Sequence, residues 1–353
     1  NTYIYPPRQS MRIIGDMIQY CSKNVPQWYP ISISGYHMRE AGSNAIQELA
    51  FTFANAIEYI NTCVSRGLKV DEFAPRLSFF FCCTMEFFEE VAKFRAARRI
   101  YAKIMNERFG AKSDKSTHLR FHVQTSGESL TAQQVDNNIV RVTLEALSAV
   151  LGGCQSLHTN SRDEALALPT EESVKVALRT QQIIANETGV TKTVDPLSGS
   201  YYLEYLTSEI EHGVETYLKK IEKIGGSLAA IETGFFQEEI RRNAYQLKKE
   251  IDHNDRVIVG VNKFQDQNDV EPKLNTIDAE IETRQVKKLK EFKRSRDQVK
   301  VNSELSKLQK FAEKDDENLM PHIISAVKGH VTLGEISDIF VDIFGRYEPK
   351  FSF

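Results

Sequence analysis

The chain has 353 residues, 41% hydrophobic and 26% charged, a composition able to bury the core of one large domain or two modest ones. Its net charge of −3 leaves no global basic field for nucleic acid or an acidic membrane surface, so neither is expected as a partner. Five cysteines without a C-x-x-C pair argue against a disulfide framework and against a zinc site, and no apolar run approaches the ~18 residues that cross a bilayer. A reducing, cytoplasmic setting is expected. The opening "NTYIYPP" has neither an initiator Met nor the layout of a signal peptide, so sequence upstream of it is expected.

From residue 7 to about 190, short strand-like runs alternate with longer helix-like ones. Strands are expected at 30–35 ("PISISG"), 75–81 ("PRLSFFF"), 118–124 ("HLRFHVQ") and 154–159 ("CQSLHT"), with helices at 9–24, 40–65, 85–108, 132–151 and 171–188. This parallel βα repeat predicts an α/β fold in which residues 1–190 supply four βα units, half of a (β/α)8 TIM barrel. Residues 191–264 then complete that domain with helices near 206–224 and 227–248 and a short strand at 256–264 ("RVIVGVNKF"). Residues 265–353 read as a linker containing Pro272 followed by a helical C-terminal extension, with helices near 284–300, 317–328 and 331–344. The basic run "RQVKKLKEFKRSRDQVK" is either a solvated helix face or a partner-docking one.

Alternation within the strands puts Leu77, Phe79 and Phe81 on one face and Arg76, Ser78 and Phe80 on the other. In the same way Leu119, Phe121 and Val123 oppose Arg120, His122 and Gln124, and Ile31 and Ile33 oppose Ser32 and Ser34. Helices must cover the apolar face, so a barrel axis lined by Ser, Arg, His and Gln implies a ligand channel; an α+β sheet with one solvated face is the alternative. The C-terminal strand ends, where barrel active sites form, are Gly35-Tyr36-His37, Phe80, Gln124 and His158-Thr159-Asn160. His37 is there either as a structural residue or as a hydrogen-bond donor into the mouth, and Gly35 would permit close approach or an unusual dihedral. Arg76 and Arg120 would serve an anion or a salt bridge inside the barrel. No metal is expected, and P-loop, nucleophile-elbow and dinucleotide fingerprints are absent. Vicinal Cys82 and Cys83 read as small apolar residues packed at a strand–helix junction.

The segments "NTYIYPP", "SISGYHMREAG", "EFAPRLSFFF", "FRAARRIYAKIM", "HVQTSGESLTAQQ", "NNIVRVTLEALSAVLGGCQSLHTNSRDEALALPT" and "VIVGVNKF" together resemble the catalytic domain of coenzyme B12-dependent acyl-CoA mutases, the methylmalonyl-CoA mutases foremost. The tail "ENLMPHIISAVKGHVTLGEISDIFVDIFGRY" resembles forms whose catalytic and cobalamin-binding parts are separate polypeptides. The resemblance makes the four βα units the last four of the barrel, its C-terminal half, and implies adenosylcobalamin as the source of a 5′-deoxyadenosyl radical and an acyl-CoA substrate threaded along the barrel axis. It makes His37 the catalytic residue, donating to the thioester carbonyl. It assigns CoA and substrate contacts to Arg76, Leu77, Ser78, Phe80, Gln124, Gln155 and Gln27, and cofactor contacts to Glu40, Gln124, Glu128, Glu164 and Ala165.

Two of those positions depart from the family pattern: Glu128 stands where many relatives have Trp, and Gln27 where many have Lys. The Arg that pairs with a substrate carboxylate in the family would lie just before "NTYIYPP", and the D-x-H-x-x-G motif that supplies the lower cobalt ligand is not in this sequence. The resemblance therefore implies two partners: a polypeptide carrying the N-terminal barrel half, and a B12-binding subunit or domain that provides the lower ligand. The implied reaction is isomerisation of (R)-methylmalonyl-CoA to succinyl-CoA. Isobutyryl-, 2-hydroxyisobutyryl- and ethylmalonyl-CoA are alternative substrates, and a non-catalytic structural half-barrel is the alternative of a different kind.

Overall fold

The computed structural model describes residues 4–266 and 274–348. Helix α1 (Pro7–Asn24) precedes strand β1 (Ile31–Ser34), the short helix α2 (Tyr36–Glu40) and the long helix α3 (Ala45–Ser65). Helix α4 (Val70–Phe73) and a 3-10 turn (Ala74–Arg76) lead into β2 (Leu77–Cys83) and α5 (Phe87–Lys103), which ends in a π-helical turn, Ile104–Arg108. Next come α6 (Asp114–Thr117), β3 (Phe121–Thr125), α7 (Asn137–Leu151), β4 (Ser156–His158) and α8 (Glu171–Glu187). The remainder is helical: α9 (Tyr201–Ile224), α10 (Ser227–Glu232), α11 (Phe235–Asp252), α12 (Glu280–Ser295), α13 (Gln298–Ala312), α14 (Met320–Lys328) and α15 (Leu333–Phe344).

The chain forms two compact units, each assembled from segments distant in sequence. One comprises Ile31–Glu58 and Ala74–Thr276, the other Asn1–Pro30, Tyr59–Phe73 and Ile277–Phe353.

In the first of these, β1 to β4 lie side by side in chain order in one parallel sheet. Ile31 sits beside Leu77, Phe79 beside Phe121, and Val123 beside Leu157. Helices separate successive strands, so the sheet and its helical cover are half of a (β/α)8 barrel, as the βα period predicts. Period-two burial is plain in β2 and β3: Leu77, Phe79, Phe81, Phe121 and Val123 are buried, while Ser78, Phe80, His122 and Gln124 are only half-buried. The buried face is aromatic. Phe53 of α3, Phe79 and Tyr101 of α5 meet with centroids 5.1 to 6.3 Å apart, and Phe94 stacks on Phe121 at 5.3 Å. Helices α5 and α9 run parallel, tied along their length by Arg95–Glu204, Arg99–Glu211, Lys103–Glu215 and Arg108–Glu222.

Several boundaries differ from the sequence expectation for identifiable reasons. The helix expected over 40–65 is two helices, because Asn44 and Gln47 form a reciprocal cap that starts α3 afresh: Gln47 N donates to Asn44 Oδ1 at 2.9 Å and Asn44 N to Gln47 Oε1 at 3.0 Å. The helix expected over 227–248 breaks at Gly234, whose φ of +77° no helix accommodates. Residues 256–264 are not a strand. A turn at Gly260 folds the segment back, and the Asn262 amide donates to the carbonyls of Ile251 and Arg256, which leaves one isolated bridge, Val259 to Lys263. The basic helix ends at Ser295 because Arg296 turns extended and Asp297 caps α13, accepting from Val299 N and Lys300 N. Of the expected linker, residues 267–273, including Pro272, lie outside the described residues.

The second unit packs Val301, Leu308, Ala312, Leu319, Ala326, Val331, Ile336 and Phe340 into one core, against which Tyr5 and Ile13 also lie. Asp16 of α1 is its polar hinge: one carboxylate oxygen pairs with Arg66 at 2.5 Å and the other accepts from Leu319 N at 3.2 Å. Arg12 donates to the carbonyl of Ala312 at 2.6 Å, satisfying one of the last carbonyls of α13. Among the described residues no helix is long and apolar enough to cross a membrane.

Candidate active site

Strand β1 ends at Ser34, and the chain turns at once into α2. The turn needs glycine for space rather than for its dihedral. Gly35 has φ −92°, but a Cβ there would lie 2.5 Å from Thr52 Oγ1 and 2.9 Å from Glu48 Cγ. The close approach swings His37 back over the strand end, where its Nδ1 sits 3.0 Å from Ser34 Oγ. Tyr36 stacks on Phe80 of the neighbouring strand, and His37 meets both rings edge-on. Partial burial lowers the pKa of His37, which favours the neutral ring at pH 7.

One turn further along α2, Glu40 accepts from Ser126 Oγ at 2.6 Å, from Glu128 N at 3.0 Å and from the Cys82 thiol at 3.3 Å. Gln124 donates to Asn160 Oδ1 at 2.8 Å, and Asn160 is locked in turn by Thr125, its amide donating to Thr125 O at 2.9 Å. Gly127 lies at the middle of this group. A Cβ there would be 3.1 Å from Glu40 Oε2, 3.5 Å from Asn160 Nδ2 and 3.7 Å from Glu164 Cγ. The sheet thus brings His37, Phe80, Glu40, Gln124, Glu128 and Glu164 to the C-terminal ends of its strands, with Ala165 in the exposed turns after β4. Burial raises the carboxyl pKa of both Glu128 and Glu164, and the nearby Glu40 charge adds to the effect.

The remaining expected residues lie elsewhere. Arg76 is on the 3-10 turn before β2, not on the strand's inner face, because Pro75 delays the strand to Leu77. Leu77 is 1% exposed on the helix-covered face, so only its backbone is available to a ligand on the axis. Ser78 Oγ donates to Ile31 O at 2.8 Å. Gln155 precedes β4, where its Oε1 accepts from Phe121 N at 2.7 Å. Arg120 also precedes its strand, and its guanidinium donates to the carbonyls of Lys115 and His118. Gln27 belongs to the other unit and is exposed. Arg76 and Gln155, which precede their strands, therefore lie away from His37; Ser78 is level with Ser32, and Phe80, His122 and Ser156 form the next polar row toward His37.

Behind the mouth lies a charge network that the sequence reading did not single out. Lys93 of α5 is fully buried and donates to Glu48 Oε2 and to Cys82 O, each at 2.7 Å, and it pairs with Glu90 as well. Glu48 accepts from Cys82 N at 2.8 Å, while Glu90 accepts from Thr84 at 2.8 Å and pairs with Arg39 at 3.4 Å. Burial pushes the Glu48 carboxyl up, whereas Lys93 and Arg39 outweigh burial at Glu90 and hold it low. The C-terminal end of α2 and the last residues of β2 are thereby fixed to one another. Tyr36 and Asn160 stand among the expected strand-end residues without an assigned role, and Ser126 is not among them. The "GYH" run adjoining a strand end was the signal for Tyr36, and for Ser126 there was only its proximity to Gln124.

Among the described residues no group of three or more His, Cys, Asp or Glu side chains is arranged to hold a metal ion. The model of the methylmalonyl-CoA mutase family matches residues 1–346. The chain belongs to the methylmalonyl-CoA mutase family. This mutase-family chain is 49% identical over 346 residues to the 2-hydroxyisobutanoyl-CoA mutase large subunit of Aquincola tertiaricarbonis, covering 98% of itself and 62% of that protein. It is 47% identical to the methylmalonyl-CoA mutase of Rhizobium meliloti and 45% to the human mitochondrial methylmalonyl-CoA mutase, covering 49% and 47% of them. It spans about half to three fifths of the length of these relatives.

Proposed function

We propose that the chain is the catalytic-subunit part of an adenosylcobalamin-dependent acyl-CoA mutase that rearranges a carbon skeleton. It would work with a polypeptide supplying the other barrel strands and a B12-binding partner supplying the lower cobalt ligand. The observation that carries the reading is the pairing of a serine-held histidine with a carboxylate group at one end of a polar-lined parallel sheet.

His37 would act on the substrate. With the Ser34 hydroxyl donating to Nδ1, the neutral ring would carry its proton on Nε2, available to a thioester carbonyl whose oxygen gains charge during acyl migration. The Tyr36–Phe80 stack provides an apolar floor beside that oxygen and limits water there. Ser78, Phe80, His122 and Gln124 would line the passage for the pantetheine arm, with Arg76, Gln155 and the Leu77 backbone toward its far end. Opposite charge makes Arg76 suited to a CoA phosphate.

The residues present fit the cofactor. Gly127 leaves a bare cradle between Glu40, Asn160 and Glu164, and a carboxylate with about four lone-pair sites keeps acceptor capacity after its existing contacts. Glu40 and Glu164 would accept the ribose hydroxyls, with Gln124, Glu128 and Ala165 beside the corrin. When bound, adenosylcobalamin supplies the carbon radical that starts the rearrangement.

For the substrate we favour a branched monocarboxylic acyl-CoA of the 2-hydroxyisobutyryl type. Support comes from the 49% identity to a large subunit so named and from the 62% of that subunit's length that the chain covers. Methylmalonyl-CoA is the second reading, supported by the matching family model, and its free carboxylate would call for a cation at the mouth. The test is reconstitution with the barrel-completing and B12-binding polypeptides and adenosylcobalamin, offering both thioesters. Isomerisation of 2-hydroxyisobutyryl-CoA at the higher kcat/KM supports the favoured reading, preference for methylmalonyl-CoA the second, and turnover of no acyl-CoA in an assembled complex would overturn both.

A further inference from the structure

Glu145 of α7 is completely buried, and neither of its carboxyl oxygens has an aligned hydrogen-bond partner. The Ser129 hydroxyl, the Ser126 backbone and the carboxylates of Glu90 and Glu40 act on it, as does the charge of Arg141. Arg141, one turn away on the same helix, is engaged by Thr131 Oγ1 at 2.9 Å, Asn138 Oδ1 at 2.7 Å and Val259 O at 2.8 Å. A carboxylate there, with acidic neighbours and its nearest helical cation occupied, is strongly disfavoured. Burial accordingly pushes the Glu145 carboxyl well up, toward the neutral acid, a form that can both donate and accept.

The same loop is gripped from its other side. Ser126 Oγ and Glu128 N both donate to Glu40, and Ser129 N donates to Ser126 Oγ at 3.4 Å. The Ser126–Ser129 segment is therefore bracketed by two glutamates, one at the mouth and one in the core. We propose that Glu145 is a positioning residue that backs the Ser126–Ser129 loop and, through it, fixes the carboxylate of Glu40. The proposal deepens the reading of Glu40 as a cofactor contact and rests on that reading for its functional meaning. Its structural content is independent of it.

Amide hydrogen exchange on the full chain, with Glu145→Gln and Glu145→Met, tests it. Both variants fill the site with an uncharged side chain of similar size, but only Gln retains hydrogen-bonding groups. We expect exchange at residues 126–131 about tenfold faster in the Met variant and close to wild type in the Gln variant, with α7 and α8 unchanged in both. Slow exchange in the Met variant, or equally fast exchange in both, would overturn the proposal. Because exchange needs neither partner nor cofactor, a silent isomerisation assay leaves this result standing, and a negative exchange result leaves the assay interpretable.

Discussion

The ring of Tyr36 lies flat on that of Phe80, centroids 4.7 Å apart and planes within 7° of parallel, and joins the helix that carries His37 to the neighbouring strand. Offset aromatic pairs contribute about 0.5–1.5 kcal/mol beyond the area they bury. A double-mutant cycle with Tyr36→Leu and Phe80→Leu, read by urea unfolding, should return a coupling energy in that range. A coupling near zero would mean the stack is incidental.

Removing the imidazole tests the donor role. In the reconstituted complex His37→Ala should lower kcat by about 10²-fold with little change in KM, the pattern of a contact stronger in the transition state. Ser34→Ala should cost less, on the order of tenfold, since the ring remains but its tautomer is no longer held. Steady-state kinetics on both variants separates the two effects.

The Lys93 network should respond asymmetrically. Lys93→Met strands Glu48 and Glu90 in the core without their shared cation, and breaking a buried ion network in this way costs about 3–5 kcal/mol. The triple variant Lys93→Met, Glu48→Gln, Glu90→Gln removes both stranded carboxylates and leaves Arg39 paired with Glu89 at 3.5 Å, so it should recover most of that loss. Chemical denaturation of the two variants compares them directly. A triple variant no more stable than the single one would refute the charge argument.

In the helical unit, Glu335 accepts from Arg296 at 2.7 and 2.5 Å and closes the capping box of α15 with Thr332. The Arg296 bonds hold its carboxyl well below the usual range. A depressed native pKa means that Glu335 contributes its full stability above the unfolded carboxylate value of about 4.3 and loses it as pH falls toward the native value. Urea midpoints of wild type and Glu335→Gln should therefore diverge most above pH 5 and converge in acid.

Gly127→Ala offers a local probe of the mouth. A methyl 3.1 Å from Glu40 Oε2 must push the carboxylate or the loop, so cofactor affinity in the reconstituted complex should fall by more than global stability does.

Much of this was legible beforehand. The polar-inside parity of β2 and β3 was visible in "RLSFFF" and "RFHVQ", because a strand's two faces alternate whatever surrounds it. The convergence of His37, Gln124 and Asn160 at one end followed from parallel topology alone. Strand starts were harder to read: Arg76 and Arg120 fit the alternation but fall one residue before their strands, where a 3-10 turn and a loop hold them. Lys93 was hidden for a different reason. Glu90 and Lys93 are three apart on a helix, the spacing of a solvated ion pair, and only tertiary packing reveals that both are sealed. The "RVIVGVNKF" run misled because its β-branched residues fit a strand, whereas the Asn262 side chain satisfies the backbone that a neighbouring strand would have paired.

The bond from Leu319 N to Asp16 spans 303 residues, so this contact of α1 forms only after about 300 further residues are made, long after the Arg66 pair is available. Closing so large a loop costs about 5 kcal/mol plus a constant, which the late helices must offset on docking. At roughly 5–20 residues per second of translation, the face of α1 that meets the late helices stays uncovered beside the ribosome for on the order of 15–60 s, and that interval is when a chaperone would be most needed.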